Sequence, residues 1–388
     1  MKIGMVVQRY GADVVGGAES LCRGVAEALA RRGHEIEVMT SCAKSYRTWA
    51  NHYPEGSERL AGVTVRRFRA SRERDVEAFN TLSEQLFTKP DRQGSDEVDW
   101  VDAQGPLVRG LVDHLHAAGR DFDHLVFFTY LYYPTVHGVH AAPDRSVLVP
   151  TAHDEAPFWL ETYRPIFELP RGLIYNTQAE ADLVARRFPS LATPSTVAGV
   201  GIEALDELVS AADGAPHLDP PVVLYAGRIE EGKGVPQLIE WLRRARAESG
   251  LEVRLWLMGE LAMELPQDAW IEALGYVSEE EKRDRLAAAT VLAAPSALES
   301  FGIVLMEANA AGTPVLANAG SQAYVELCRA GNGGLFYEGY REFAETLGLL
   351  LGDASLRDAM AASGRAYARA TYSWDAVADR YEGFLRSL

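Results

Sequence analysis

Glu299 and Glu307 stand eight positions apart in Ala-Leu-Glu-Ser-Phe-Gly-Ile-Val-Leu-Met-Glu-Ala, residues 297–308. A glycine turn and an apolar helix start divide them, so the two carboxylates can flank one anion. The apolar run just before, residues 291–295, reads as a buried strand. Glu299 then falls on the loop leaving the strand, and Glu307 falls in the first turns of the next helix. Amides near Phe301, Gly302 and Ile303 suit a phosphate, because a helix start offers unpaired donors and a positive dipole end. Phosphate on the amides, ribose on one acid and a hexose on the other describe a nucleotide sugar. Two surface glutamates on an amphipathic helix are the plainer alternative.

A second constellation supplies cations. Residues 222–228, Val-Val-Leu-Tyr-Ala-Gly-Arg, read as a strand ending in a glycine turn at Gly227. Glu231-Gly232-Lys233-Gly234-Val235 follows, then a helical pattern through Leu238, Ile239 and Leu242. Arg228 and Lys233 thus share a glycine-rich bend at a helix start, and two cations with several amides can hold a diphosphate. Two solvated basic residues in a loop are the alternative. Gly16-Gly17 opens a helix after the first strand, where small residues let backbone approach a ligand closely. The pattern Gly11…Gly16-Gly17 is not Gly-x-Gly-x-x-Gly, which excludes classical dinucleotide binding. His153 follows the strand at 146–150. Tyr276 and Val277 follow a glycine at another strand end, where Tyr276 can pack on a base or simply complete a core turn. His137 and His140 lack a convincing third ligand and read as structural.

The elements that position these residues alternate along the chain. Strands are expected at 2–7, 35–39, 63–68, 125–128, 146–150 and 173–175. Helices are expected at 18–31, 76–87 and 107–117. This implies a parallel sheet covered on both faces. Residues 88–104 are polar and poorly periodic and are expected to be a mobile loop. A Gly/Pro-rich stretch at 198–221 is the linker candidate. A second alternation follows, with strands at 222–226, 253–258, 271–274, 291–294 and 314–316, and helical patterns end the chain.

Composition narrows the class. The 388 residues are 47% hydrophobic and 24% charged, enough for two or three globular domains. The net charge of -17 argues against nonspecific nucleic-acid binding and against broad attraction to anionic membranes. A local basic stretch, Arg66, Arg67, Arg69, Arg72 and Arg74, is either a solvated strand edge or a contact for a phosphorylated or lipid-linked acceptor. That leaves room for peripheral membrane contact. Cys22, Cys42 and Cys328 form no disulfide framework or zinc spacing and suit a reducing compartment. The apolar start is too short for a signal-peptide core, and no run reaches the length of a membrane span. The expected location is the cytoplasm.

Tyr-Ala-Gly-Arg…Lys-Gly at 225–234, Glu-x7-Glu at 299–307, Gly16-Gly17-Ala18-Glu19, His153-Asp154 and Tyr372-Ser373-Trp374-Asp375…Tyr381 together resemble glycosyltransferase family 4. The match runs in order over essentially the whole chain. The resemblance implies the α/β GT-B fold, two Rossmann-like domains with parallel sheets facing a central cleft. Residues 1–200 would bind the acceptor and 201–370 the donor, with a closing helix at 371–388 packing back on the first domain. It implies a retaining hexosyltransferase of polysaccharide or glycoconjugate biosynthesis, with no cofactor. Its donor would be a UDP-, GDP- or dTDP-sugar and its acceptor a sugar-containing, lipid-linked or small molecule. Arg228 and Lys233 would carry leaving-group charge, beside Gly227. Glu307 would bind ribose, Glu299 the transferred sugar, and Phe301, Gly302 and Ile303 the phosphate. The turn at Tyr276 and Val277 would hold the base, the Gly17 amide beside Gly16 would meet the distal phosphate, and His153 would sit beside the sugar. Metal independence is expected, because two cations do a metal's work and the chain is read as lacking an Asp-x-Asp motif. Glu260-Leu261 departs from the family's second glycine after Gly259, and Ala198-Gly199-Val200-Gly201 departs from its Asn-Gly pair. A sugar phosphorylase, a nucleotide-sugar epimerase and a non-catalytic bilobal sugar-binding protein are the alternatives.

Overall fold

Each apolar run that reads as a buried strand occupies a sheet in the computed structural model. The structure describes every residue except Val15, Pro90, Asp213 and residues 215–217. Two compact units divide the chain: Met1–Gly201 with Val377–Leu388, and Ile202–Ala376.

The first unit holds β1 (Lys2–Val6), β2 (Glu35–Ser41), β3 (Gly56–Leu60), β4 (Val63–Phe68), β5 (His124–Phe128), β6 (Ser146–Val149), β7 (Gly172–Tyr175) and β8 (Ser195–Val197). Their order is β3-β4-β2-β1-β5-β6-β7-β8. Near-continuous burial of β1, β5, β6 and β7 explains their richness in Val, Ile, Leu and Phe, since helices cover both faces of a parallel sheet. The edge pair β3/β4 is antiparallel, which corrects the expectation of a wholly parallel sheet. Strand β3, Gly-Ser-Glu-Arg-Leu, is exposed and charged. A charged edge of this kind discourages pairing with another chain.

The helix Gly17–Arg31 buries Leu21, Val25, Ala28 and Leu29, the spacing of a single apolar stripe. Gly33 ends it at φ 84°, a conformation that favours glycine. Residues 88–104 are not the expected loop. A helix forms over Gly94–Gln104, started by the Asp96 carboxylate accepting the Gln93 amide at 2.7 Å. Only Trp100 and Val101 enter the core from its apolar residues, so the helical period is too faint to read. Burial of the tryptophan alone contributes about 1.5–3 kcal/mol.

The second unit holds β9 (Val222–Ala226), β10 (Arg254–Met258), β11 (Ile271–Gly275), β12 (Val291–Ala294), β13 (Val315–Asn318) and β14 (Gly334–Tyr337). All pairs in the order β11-β10-β9-β12-β13-β14 are parallel. The chain order reverses between β9 and β12, and in such sheets ligands bind beyond the carboxyl ends of the strands at that reversal. Arg228 leaves β9 there and Glu299 leaves β12. The stretch 198–221 contains the boundary between the units and a helix, Leu205–Ala211; its Asp213 and residues 215–217 lie outside the described residues.

The final helix, Trp374–Ser387, belongs to the first unit from Val377 onward. Tyr381 is fully buried there, Arg32 donates to Asp379 at 2.6 Å, and Arg380 donates to the Ala198 carbonyl at 2.8 Å. Cys22 and Cys42 lie in the first unit and Cys328 in the second; all three are buried free thiols. Among the described residues no helix is long and apolar enough to cross a membrane.

Candidate active site

In the second unit the site is built from turns that need glycine. Gly227 has φ 151° and Gly259 has φ 136°, both outside the range other residues favour. A Cβ on Gly259 would fall 2.0 Å from the Gly227 carbonyl oxygen, so the turns after β9 and β10 meet backbone to backbone. Beyond them Ile229 donates to the Glu260 carbonyl at 2.8 Å, and Ala262 donates to the Ile229 carbonyl at 2.9 Å. Glu260-Leu261 therefore extends the pairing of β9 and β10 through backbone, which needs no second glycine. Gly234 has φ 74°, and a Cβ there would meet the Pro295 carbonyl at 2.7 Å. This close approach carries Lys233 to the loop after β12.

Lys233 Nζ lies 2.7 Å from Glu299 Oε1. The two residues are 66 positions apart in sequence, and the reversal between β9 and β12 joins them. Arg228 Nη2 lies 3.2 Å from Glu230 Oε1. Both cations thus have carboxylate partners, a pairing that the spacing of residues 228–234 does not reveal. Tyr324 also touches Glu299; burial first and that carboxylate second push its hydroxyl pKa well above the ordinary tyrosine value.

Glu299 occupies the loop after β12 and Glu307 the second turn of the helix Ile303–Ala310, as the spacing predicts. Phe301 is buried, its ring edge-on to Tyr372 at 5.2 Å, and does not present a face to a ligand. It anchors the loop so that Gly302 caps the helix, packed so closely that a Cβ there would meet Tyr324 at 2.9 Å. Gly302, Ile303 and Val304 open this helix, where backbone amides have no intrahelical acceptor. Glu307 is 6% exposed, and Lys282 Nζ holds its Oε1 at 2.7 Å. At the end of β11, Gly275 accepts the Gly259 amide at 2.9 Å, and Tyr276 beside Val277 stands 69% exposed.

The first unit places its candidates at the carboxyl ends of β1 and β6. Gly16 precedes the helix Gly17–Arg31, and a Cβ on it would fall 2.1 Å from Glu19 Oε2. That carboxylate is buried and paired with Arg9 Nη2 at 2.5 Å. Gly16 is thus a packing requirement, whereas Gly17 has nothing within 4 Å of an added Cβ. Thr151, at φ 51°, turns the chain out of β6 toward His153. His153 Nε2 lies 3.4 Å from Glu155 Oε2, and Glu155 Oε1 accepts the Tyr130 hydroxyl at 2.6 Å. Burial, then Glu155, holds that hydroxyl well above the usual tyrosine pKa.

The arginine stretch is mixed: Arg69 and Arg72 are exposed, whereas Arg66, Arg67 and Arg74 are held by the protein's own groups. Arg67 is 3% exposed, donates to the Tyr10 carbonyl at 2.6 Å and pairs with Glu58 at 2.9 Å. Arg66 pairs with Glu37, and Arg74 donates to Arg47 and Gln104 carbonyls. His137 bonds Asp102 at 3.2 Å, a structural contact as expected.

Residues 210–367 match the family profile described as glycosyl transferases group 1. A D-inositol 3-phosphate glycosyltransferase of Corynebacterium urealyticum is 34% identical over 56% of this chain and 56% of its own. One from Xylanimonas cellulosilytica is 35% identical over 42% of this chain and 41% of its own. The chain thus spans about half the length of these curated relatives. Among solved structures, sucrose-phosphate synthase from Thermosynechococcus elongatus superposes with TM-score 0.71 at 19% identity, covering 100% of this chain and 98% of that one. Anabaena HepE in complex with UDP-glucose gives 0.66 at 19% identity, with 100% of both chains covered. These likenesses establish the GT-B fold.

Three residues of the candidate site escape a reading of the sequence alone: Glu230, Lys282 and Tyr324. The first two sit in acidic runs that resemble solvated faces, and Tyr324 starts an ordinary amphipathic helix, Gln322–Gly331. Among the described residues no group of three or more His, Cys, Asp or Glu could hold a metal ion. An Asp-x-Asp triplet does occur in the first unit, Asp121-Phe122-Asp123. It precedes β5 at the amino end, away from the ligand-facing ends of the strands, and Asp123 accepts the Lys2 amide at 2.7 Å.

Proposed function

We propose that this chain is a retaining glycosyltransferase that moves a sugar from a nucleoside diphosphate to an acceptor hydroxyl. The observation that carries this reading is the Lys233–Glu299 pair, 2.7 Å apart at the sheet reversal. The reaction breaks the bond between the anomeric carbon and the diphosphate while the sugar gains positive charge. Preorganised donors must stabilise the departing charge. Lys233 would exchange its contact with Glu299 for the diphosphate, joined by Arg228 and the amides of Gly302, Ile303 and Val304. Glu299, released from Lys233, would hold sugar hydroxyls beside the developing cation. Glu307 would accept from the ribose, and Tyr276 would lie on the base. The acceptor oxygen would attack from the face the diphosphate leaves, with a diphosphate oxygen taking its proton.

Residues 201–370 would bind the donor, and residues 1–200 would choose the acceptor through the loops carrying Gly16, Gly17 and His153. The open space beside Gly17 supports a close ligand approach there. HepE binds UDP-glucose, which favours a nucleotide-sugar donor here as well. The three free cysteines favour a reducing compartment such as the cytoplasm.

The reading requires no metal, because two cations and a helix start occupy the diphosphate position. Incubation with a panel of UDP-, GDP- and dTDP-sugars, an acceptor series and excess chelator is expected to yield transfer at the chelator-free rate. Complete loss, restored by magnesium or manganese, would show that Arg228 and Lys233 do not carry the diphosphate alone.

A further inference from the structure

Each acid of the Glu-x7-Glu pair is held by one lysine, and the two lysines differ in what a donor would do to them. Lys233 belongs to the bend that would receive the diphosphate, so an anion competes with Glu299 for it. Lys282 lies in the helix Glu279–Ala288, where its ammonium is 2.7 Å from Glu307 and 3.5 Å from Glu279. A ribose brings hydroxyls and no charge, so it does not compete with Glu307 for Lys282.

The position of Lys282 in its helix supports a dedicated role. Ser278 caps the helix, and Glu279, Glu280 and Glu281 fill the first turn, where the helix dipole favours anions. A lysine directly after them is disfavoured by that dipole and needs a local carboxylate. Glu307 has the complementary need, because a buried carboxylate without a cation is costly. Burial lowers the ammonium's pKa, yet Glu307 and Glu279 outweigh it and hold the value above that of an ordinary lysine. An ammonium has three donors, and the two glutamates account for two of them.

We propose that Lys282 is a positioning residue of the donor site: it fixes the Glu307 carboxylate for the ribose diol and makes no contact with the diphosphate. The proposal rests on the assignment of Glu307 to ribose made above. Lys282 then acts only on ligands that carry the hydroxyls Glu307 receives.

The test compares UDP and GDP with their 2′,3′-dideoxy forms by calorimetry, in the wild type, Lys282→Met and Lys282→Arg. Lys282→Met is expected to weaken binding of the ribose form about tenfold or more, the scale of a hydrogen bond to a charged group. The dideoxy form, which lacks the diol, is expected to bind both proteins alike. Lys282→Arg is expected to restore most of the loss, and the donor KM of Lys282→Met is expected to rise by more than kcat falls. Should Lys282→Met not fold, Lys282→Gln serves for the same comparison. Equal weakening of ribose and dideoxy forms would overturn the proposal, placing Lys282 on the diphosphate or base. Unchanged ribose binding would also overturn it. Failure of the underlying assignment looks different: Glu307→Ala would then bind the ribose form as tightly as the wild type.

Discussion

Lys233→Ala is expected to lower turnover by roughly 10²–10³, the usual loss when one preorganised donor to a developing charge is removed. The fold should survive. Lys233 is partly exposed on a turn whose path is set by Gly234 against Pro295, and Glu299 keeps its contact with Tyr324. Steady-state kinetics with saturating donor, alongside circular dichroism and a melting curve, checks both halves. A folded Lys233→Ala protein with near-normal turnover would remove the lysine from the leaving-group site.

The second large effect separates the two carboxylates. Glu307→Ala is expected to weaken a free nucleoside diphosphate by about 1.5–3 kcal/mol, the worth of hydrogen bonds to a charged group, or roughly 10- to 150-fold. Glu299→Ala is expected to behave oppositely toward the same ligand. Without Glu299, Lys233 has no carboxylate to release before it meets the diphosphate, so affinity should hold or rise. Transfer should nevertheless fall by roughly 10²–10³, because the transferred sugar loses its anion. Calorimetry with the nucleoside diphosphate decides the matter, and equal losses in both variants would refute the division of roles.

Legibility followed burial. Strands β9 and β12 are apolar along their length, and β1 and β5 beyond Lys2 and His124, because both faces are covered; such runs can be recognised without a partner strand. Strand β3 has no apolar pattern, since it lies at an exposed edge and is stabilised by its pairing with β4. Strand β14 follows Gly331-Asn332-Gly333, and a glycine-rich approach reads as a turn. The helix Gly94–Gln104 is held largely by an acidic cap and one tryptophan, which leaves a polar segment with little period.

The same logic applies to the site. Glu299 and Glu307 were legible because a strand, a glycine and a helix start fix their local positions. Their pairing with lysines was not, because each ion pair spans separate elements: Lys233 to Glu299 across 66 positions, Lys282 to Glu307 across 25. Side-chain spacing carries information within a turn or a helix face. It carries none about which loops a sheet reversal brings together.

The three buried thiols provide clocks for the opening of each unit. A thiol reagent attacks only an accessible thiolate. Burial raises the thiol pKa of Cys22 and Cys42, and that of Cys328 to about 12. Modification must therefore await local or global unfolding. Cys22 lies on the helix that follows Gly16-Gly17, and Cys328 lies on the helix that carries Tyr324. Pulse alkylation with peptide-resolved mass spectrometry would report the two units as separate rates in one sample. A nucleoside diphosphate bound by the second unit would slow the Cys328 clock without requiring the Cys22 clock to change.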